Sequence, residues 1–316
     1  MIKIRLDNQF LFVKFPIIFP LIYGFILYSF PSFETALIIL TILLLAETHF
    51  GATWPFFLDK VNHVFIVKNR IPLIAIPIVI VVFSLLGFFF INKFFLLIFF
   101  AANMFHVTRQ SFGITKLYCK NFDENKFQKI NIYLINFIFF FIGFFRFYLP
   151  IINESNLLIM NIVILFILFI LSIYYLFKFK YSENFFVFLT GCLIFYPICF
   201  VDNPVHAIIM GVTMHYTQYL YLTYNVHNLR KKKMFELNGS TLHKKAYSYI
   251  FIIIIYTIVM TIFSTLGKSD AMYLKQFIIV PIIGQMLHFY LDSQLWKFSE
   301  KHNRDNTLSY IKKMII

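Results

Sequence analysis

Long apolar segments recur along the whole chain, and they restrict its fold more than any other feature of the sequence. Most are about 18 to 25 residues long, the length that an α-helix needs to cross the hydrocarbon core of a bilayer. Lipid offers the backbone no hydrogen-bond partners, so only helices and closed barrels span it. The segments are continuously apolar and do not alternate as barrel strands do. The pattern therefore predicts an all-α, polytopic integral membrane protein.

The composition agrees with this class. Hydrophobic residues make up 60% of the chain and charged residues only 13%, whereas a soluble domain carries about 25% charged residues. We expect a single membrane domain over residues 1–316, and the first apolar run is too long for a cleaved signal peptide. The ten predicted spans cover residues 10–30, 33–57, 71–92, 94–115, 130–152, 156–178, 184–201, 204–227, 246–267 and 274–296.

The basic residues indicate how the spans are oriented. They concentrate in alternate connections, at residues 3–5, 60–70, 116–129, 178–180, 230–245 and 297–313. The opposite connections hold little more than Lys93 and Lys268. Because basic loops remain in the cytoplasm, we predict cytoplasmic termini and location in the bacterial inner membrane. The net charge of +14 then reflects topology and attraction to anionic headgroups, and we expect no nucleic-acid partner.

Familiar catalytic motifs are missing from the sequence. It contains no H-E-x-x-H metalloprotease helix, no G-x-S-x-G nucleophile elbow, no P-loop and no G-x-G-x-x-G. The H-x-x-H-H boxes of membrane desaturases and alkane hydroxylases are missing as well. Cys119, Cys192 and Cys199 are too few and too scattered for a disulfide framework or a thiolate metal site. Any chemistry must depend on other residues.

Four histidines, His49, His106, His215 and His288, lie inside the apolar segments. They belong to the second, fourth, eighth and tenth predicted spans, which all cross the membrane in the same direction. An ionisable side chain in hydrocarbon is costly unless it lines a polar cavity or binds a metal. Four histidines at similar depth therefore favour a metal site over four separate interhelical hydrogen bonds. Two further histidines near the cytoplasmic boundary are secondary ligand candidates: His63 and His227.

Polar side chains accompany these histidines at helical spacing. Three or four residues separate each of them from its histidine, so that the two share a helix face. The set consists of Gln110 after His106, Gln218 and Tyr219 after His215, and Asp292 after His288. Glu47 precedes His49 by two residues, so we expect it to face a neighbouring helix instead. Neutral imidazole suits iron, copper and zinc, and carboxylates or amides orient ligating histidines through the other ring nitrogen.

Three segments carry the histidines in an order that can be compared with a known family. ETHFGATW surrounds His49, GVTMHYTQYLYL surrounds His215, and GQMLHFYLDSQLWKF contains His288 and Asp292. This order of an H-F-G tripeptide, a later histidine helix and an H-x-x-x-D motif resembles the Brp/Blh family of membrane β-carotene 15,15'-dioxygenases. The resemblance implies an all-helical, iron-dependent membrane enzyme that splits the central double bond of a carotenoid with O₂.

Two features of that family differ in this chain. The N-terminal segment KFPIIFPLIYG has no histidine, and the family's paired H-x-x-x-H is reduced to His215 with Tyr219. His106, on another helix, is our candidate for the missing ligand. The reaction class is therefore expected to carry over more readily than the substrate.

Our leading hypothesis is a non-haem iron oxygenase that holds one or two ions and uses O₂ on a lipophilic substrate from the bilayer. In it the four histidines bind iron, and Glu47, Gln110, Gln218, Tyr219 and Asp292 complete the catalytic site. An electron donor is required if the reaction is not a dioxygenation. The alternative is a proton-coupled transporter or a haem-binding electron carrier that uses the same histidines.

Overall fold

The structure is a computed structural model that describes residues 15–119, 121–237, 247–267 and 274–315. Helices account for most of these ranges, in which no strand occurs, so the predicted all-α class is confirmed. The helices are α1 (Phe15–Ser29), α2 (Glu34–Thr41), α3 (Glu47–Gly51), α4 (Thr53–Phe57), α5 (Lys60–Lys68), α6 (Ile76–Phe90), α7 (Asn92–Tyr118), α8 (Phe122–Gly143), α9 (Glu154–Phe179), α10 (Glu183–Leu193), α11 (Pro204–Leu237), α12 (Tyr247–Gly267), α13 (Ile279–Leu295), α14 (Lys301–Asn303) and α15 (Ser309–Ile315).

Five helical segments in the described ranges are long and apolar enough to cross a membrane. They are Pro31–Phe57, Ile71–Phe90, Phe122–Tyr148, Glu154–Phe179 and Ser248–Gly267. Much of their surface is apolar and exposed: only 17% of the apolar window in Ile71–Phe90 and 11% of that in Glu154–Phe179 is buried. Such faces are stable in lipid and costly in water. The chain thus has the helices of a membrane protein.

The described residues contain five such segments and not ten. The other predicted spans correspond to α1, α7, α10, α11 and α13. Two of these helices are short, with 11 residues in α10 and 17 in α13, and the described part of α1 comprises 15 residues. α7 and α11 have 27 and 34 residues, but polar side chains around His106 and His215 lower their hydropathy. The helices that carry most of the predicted site are therefore less apolar than the five segments.

Part of the predicted topology lies outside the described residues. This applies to the start of the first span, the basic residues at 3–5, Lys120, the basic residues at 244–245 and Lys268. The orientation of the spans stays a prediction.

The described chain divides into two compact units. Unit 1 comprises the described parts of Met1–Thr41 and Met104–Gln218. In it α8 packs on α10, and Tyr175 stacks on Phe188 with ring centroids 5.3 Å apart. Arg146 donates to the carbonyl oxygens of Ile198 and Val201 at 2.5 and 2.7 Å, which holds the turn between α10 and α11 against α8.

Unit 2 comprises the described parts of Ile42–Asn103 and Tyr219–Ile316. In it α6 packs on α13, and α12 packs on α3, α4 and α13. Tyr256 of α12 occupies space that glycines leave open. A Cβ atom on Gly51 would lie 3.0 Å from the Tyr256 ring, and one on Gly284 would lie 2.5 Å from its hydroxyl. The two glycines thus let α12 pack closely against α3 and α13, which carry His49 and His288.

Candidate metal centre

Hydrogen bonds around His288 in unit 2 determine which of its ring nitrogens carries the proton. Tyr219 Oη and Thr53 Oγ1 both donate to Asp292 Oδ1, at 2.6 and 2.9 Å. The Thr53 hydroxyl has then used its single proton, so it accepts at its 2.7 Å contact with His288 Nδ1. His288 therefore has its proton on Nδ1 and its lone pair on Nε2. A neutral imidazole, which carries a lone pair on one ring nitrogen, is the form that ligates a metal.

Asp292 presents its second carboxylate oxygen to the same imidazole. His288 Nε2 lies 3.9 Å from Asp292 Oδ2, and the two residues offer ligand atoms within 4.8 Å of one another. Both side chains are buried, as is Thr53. The predicted i, i+4 pair of histidine and carboxylate is thus close enough in space to hold a metal ion.

His288, Thr53, Asp292 and Tyr219 form the group around His288, and the His49 ring packs against it. Its centroid lies 4.5 Å from that of His288 and 4.4 Å from that of Tyr219. The π-helical turn Ile42–Ala46 comes directly before α3, and such turns often occur at functional sites because they re-aim the side chains that follow. Unit 2 therefore brings four of the predicted site residues together: His49, Tyr219, His288 and Asp292.

Unit 1 contains the other two predicted ligands. His106 of α7 and His215 of α11 have ring centroids 6.1 Å apart and offer ligand atoms within 4.8 Å of one another. Both are buried. These two imidazoles are close enough to bind one metal ion.

Gln110 and Gln218 lie in unit 1 as well. Gln218 is buried and, with Ser111 and Thr190, lines a cavity of about 10 Å³, roughly the space of one water molecule. Gln110 is half-buried, four residues after His106 on α7. A separate apolar groove of about 430 Å³, which includes Phe145, is lined by none of the predicted site residues.

Glu47 lies in unit 2 on α3, but it is not hydrogen-bonded to the group around His288. Its side chain is buried, and within the described chain Glu47 Oε2 has no hydrogen-bond partner. Its helix, α3, packs on α12. The orientation of Glu47 towards another helix and its catalytic role both stay predictions.

The two secondary ligand candidates have different surroundings in unit 2. His63 is exposed on α5, whereas His227 is buried on α11. Neither belongs to a group of three potential ligands in the described part of the chain.

His302, another histidine of unit 2, lies in a hydrogen-bonded network at the start of the C-terminal segment. Asn62 Nδ2 donates to the carbonyl oxygen of Phe56, so Asn62 Oδ1 accepts from His302 Nε2 at 2.8 Å. Asn306 Nδ2 lies 3.3 Å from His302 Nδ1 and donates to it. The network therefore uses the neutral imidazole.

The network gives the stability of the protein a defined pH dependence. Burial, then the charge of Arg230, lower the pKa of His302, while Asp305 raises it. A lowered pKa stabilises the fold above the unfolded value of about 6.5, and this contribution is lost as the pH falls below that value. We expect the thermal unfolding midpoint to fall less between pH 7.5 and pH 5.5 in His302→Asn than in the wild type.

The exposed His63 provides the control for this measurement. His63→Asn should keep the pH dependence of the wild type. An equal fall of the midpoint in His302→Asn and the wild type would show that His302 does not make this contribution.

Two groups of functional interest were not predicted from the sequence. Thr53 links His288 to Asp292, and its position four residues after His49 was a usable signal, since such residues share a helix face. The other group lies in unit 1, where Tyr23 Oη is 2.7 Å from His206 Nδ1 and His206 Nε2 is 3.0 Å from Glu34 Oε1. Its members come from three separate helices, and no spacing in the sequence connects them.

Comparisons of the chain with protein-family models, with curated proteins and with solved structures give no match.

Proposed function

We propose that this protein is a membrane-embedded, histidine-ligated non-haem iron oxygenase that acts on a lipophilic substrate. The observation that carries the proposal is the hydrogen-bonded group of unit 2, in which Thr53 holds His288 with its lone pair on Nε2. Hydrogen bonds of this kind prepare a histidine for a metal in known metalloproteins. Imidazole and carboxylate donors suit iron, and iron is the metal that the family resemblance implies.

Each predicted residue has a distinct role in this proposal. His49, His106, His215 and His288 bind the metal, as one or two ions, and Asp292 orients His288 or adds a ligand. Bound iron supplies the activation of O₂. Glu47 likewise orients a ligand or adds one, Tyr219 holds Asp292 in place, and Gln110 and Gln218 provide polar contacts for the reacting groups.

The membrane supplies the substrate in this proposal. Large apolar side chains cover the exposed faces of the helices, with Phe177 87% and Phe90 79% exposed, so lipid-soluble molecules can gather around the protein. Oxidative cleavage of a carotenoid is the leading reaction, and oxidation of a lipid or hydrocarbon with an electron donor is the next. We further propose that the five less apolar helices also cross the membrane, which gives ten spans, that both termini are cytoplasmic, and that the protein lies in the bacterial inner membrane.

Metal content tests the proposal directly. Detergent-purified wild type, His215→Ala and His288→Ala should be compared by elemental mass spectrometry and optical spectroscopy, with His63→Ala as an exposed-histidine control. We expect iron in the wild type and in His63→Ala, no Soret band, and loss of iron in the other two variants. The number of irons per chain decides between one ion and two, and a screen of carotenoids and lipids under O₂ then identifies the substrate.

Two results would overturn the proposal. A Soret band would identify a haem-binding electron carrier. Absence of metal in every sample would exclude the oxygenase and return the histidines to proton relay or helix packing.

A further inference from the structure

His227 is a buried imidazole in unit 2 whose hydrogen-bonding capacity is unused. Its side chain is 5% exposed, and among the described residues neither Nδ1 nor Nε2 has a hydrogen-bond partner. The ring instead packs against Tyr249 of α12, with centroids 5.3 Å apart. Burying a polar group without a hydrogen bond is costly, and buried polar groups that lack a protein partner are commonly hydrogen-bonded to water. The side chain therefore points to a hydrated site inside unit 2.

Polar groups continue from His227 towards the group around His288. Tyr219, Thr223 and His227 follow one another at intervals of four residues on α11 and so share a face. Thr223 Oγ1 is hydrogen-bonded to Tyr249 Oη at 2.6 Å, and Tyr219 Oη donates to Asp292. All of these side chains are buried. They form a polar stripe that rises about 12 Å along the helix from His227 to Tyr219.

In the other direction along α11, two charged residues follow His227 at helical spacing. Arg230 and Lys231 come three and four residues after it and so lie on the same side of the helix, and Arg230 Nη1 lies 3.6 Å from Asp59 Oδ2. Asp59 caps the start of α5, where its carboxylate accepts from the backbone of Val61, and its side chain is 11% exposed. Among the described residues of α12, Tyr249 is the titratable group whose ring packs on His227. The stripe therefore continues along α11 from His227 to the buried Arg230, whose ion-pair partner Asp59 is partly exposed.

We propose that water enters unit 2 beside Asp59 and Arg230 and that His227 passes protons along this stripe towards the group around His288. A proton from water binds one ring nitrogen while the other nitrogen releases one, so the ring returns to its neutral form and no electron moves.

The proposal rests on the proposed function only for what consumes the protons. Cleavage by a dioxygenase consumes none, whereas a monooxygenation takes up two protons and two electrons from an external donor for each O₂. Confirmation of the proton path would therefore place the reaction that uses an electron donor ahead of carotenoid cleavage.

Water access can be measured without metal or substrate. Full-length protein with Cys119→Ser is placed in nanodiscs, and single cysteines are introduced as His227→Cys and Thr223→Cys. Val226→Cys is the matched control, because Val226 is buried on the same helix at the same depth but lies off the stripe. Modification by a small, charged methanethiosulfonate is followed by intact-protein mass spectrometry. We expect reaction at 227 and 223 to be at least about tenfold faster than at 226, because the reactive thiolate forms where water solvates it.

Proton exchange at the native imidazole provides the second measurement. In protein with ¹⁵N-labelled histidine, the ring N–H signal of His227 is assigned by its loss in His227→Gln. This signal should lose intensity when the water resonance is saturated, because the proton exchanges with water. The signal of His206 should persist, because Tyr23 and Glu34 occupy both of its nitrogens. A persistent His227 signal, or equal rates of thiol modification at positions 227, 223 and 226, would overturn the proposal. If the protein contains iron but the cysteines at 227 and 223 are not modified, the proton path alone is rejected. If these cysteines are modified but the protein contains no iron, the oxygenase alone is rejected.

Discussion

Thr53→Val is expected to bind ferrous iron about 10- to 100-fold more weakly than the wild type, the usual effect of removing a residue that orients a metal ligand. Valine keeps the shape of threonine but lacks the hydroxyl, which accepts from His288 Nδ1 and donates to Asp292 Oδ1. Without it the Nδ1 proton is buried with no acceptor at this position, and the ring is free to move its proton to Nε2. Competition with a chelator in metal-free protein measures the change in affinity.

Thr115→Val is the matched control for this experiment. Thr115 is as buried as Thr53, but its hydroxyl donates to the carbonyl oxygen of Ser111 on its own helix at 2.8 Å. Its iron affinity should equal that of the wild type. Wild-type affinity in Thr53→Val would show that this hydroxyl does not prepare His288 for a metal, while equal weakening in both variants would indicate a general effect on folding.

Gly211→Ala is expected to destabilise unit 1 by about 4 kcal/mol or more, in the range reached only by severe packing defects. A Cβ atom at this position would lie 1.8 Å from the carbonyl oxygen of Ile194 and 2.9 Å from its carbonyl carbon. Both are backbone atoms of the turn between α10 and α11, so no side-chain rotation relieves the overlap. The yield of monodisperse protein in detergent and its thermal unfolding midpoint measure the effect.

Gly113→Ala tests the same substitution where there is space. Among the described residues, and apart from the backbone of its own helix and its two chain neighbours, no atom lies within 4 Å of a Cβ atom at Gly113. Alanine in a helix interior is favoured over glycine by about 0.5 to 1 kcal/mol. This variant should match or slightly exceed the wild type in stability. Wild-type behaviour of Gly211→Ala would mean that α11 does not approach the turn as closely as the structure describes.

The most apolar helices were predictable almost to their ends. The runs 71–92 and 156–178 correspond to the segments Ile71–Phe90 and Glu154–Phe179, because a continuous apolar run of this length has a single stable arrangement in lipid. α10 was not predictable in this way. The run 184–201 reads as one span, yet α10 ends at Leu193 and a 3₁₀ turn with Pro197 follows, because proline cannot donate a backbone hydrogen bond and interrupts a helix.

The candidate site was predictable at the level of helix faces. Spacing alone paired His288 with Asp292, and the same rule would have added Thr53 to the face of His49. The hydrogen bond between Thr53 and Asp292 joins residues 239 positions apart in the sequence, and the helical period predicts only contacts between residues that are close in the sequence.

The sequence by itself determined that the chain is helical and which side chains are too polar to face lipid, because hydrocarbon length and helical period are local properties of the chain. Only the tertiary structure decided which of those side chains meet. It placed Thr53 and Tyr219 on Asp292, put the proton of His288 on Nδ1 and left His227 buried beside Tyr249. These outcomes depend on which helices pack together, and a helix period specifies a face without specifying the neighbour that covers it.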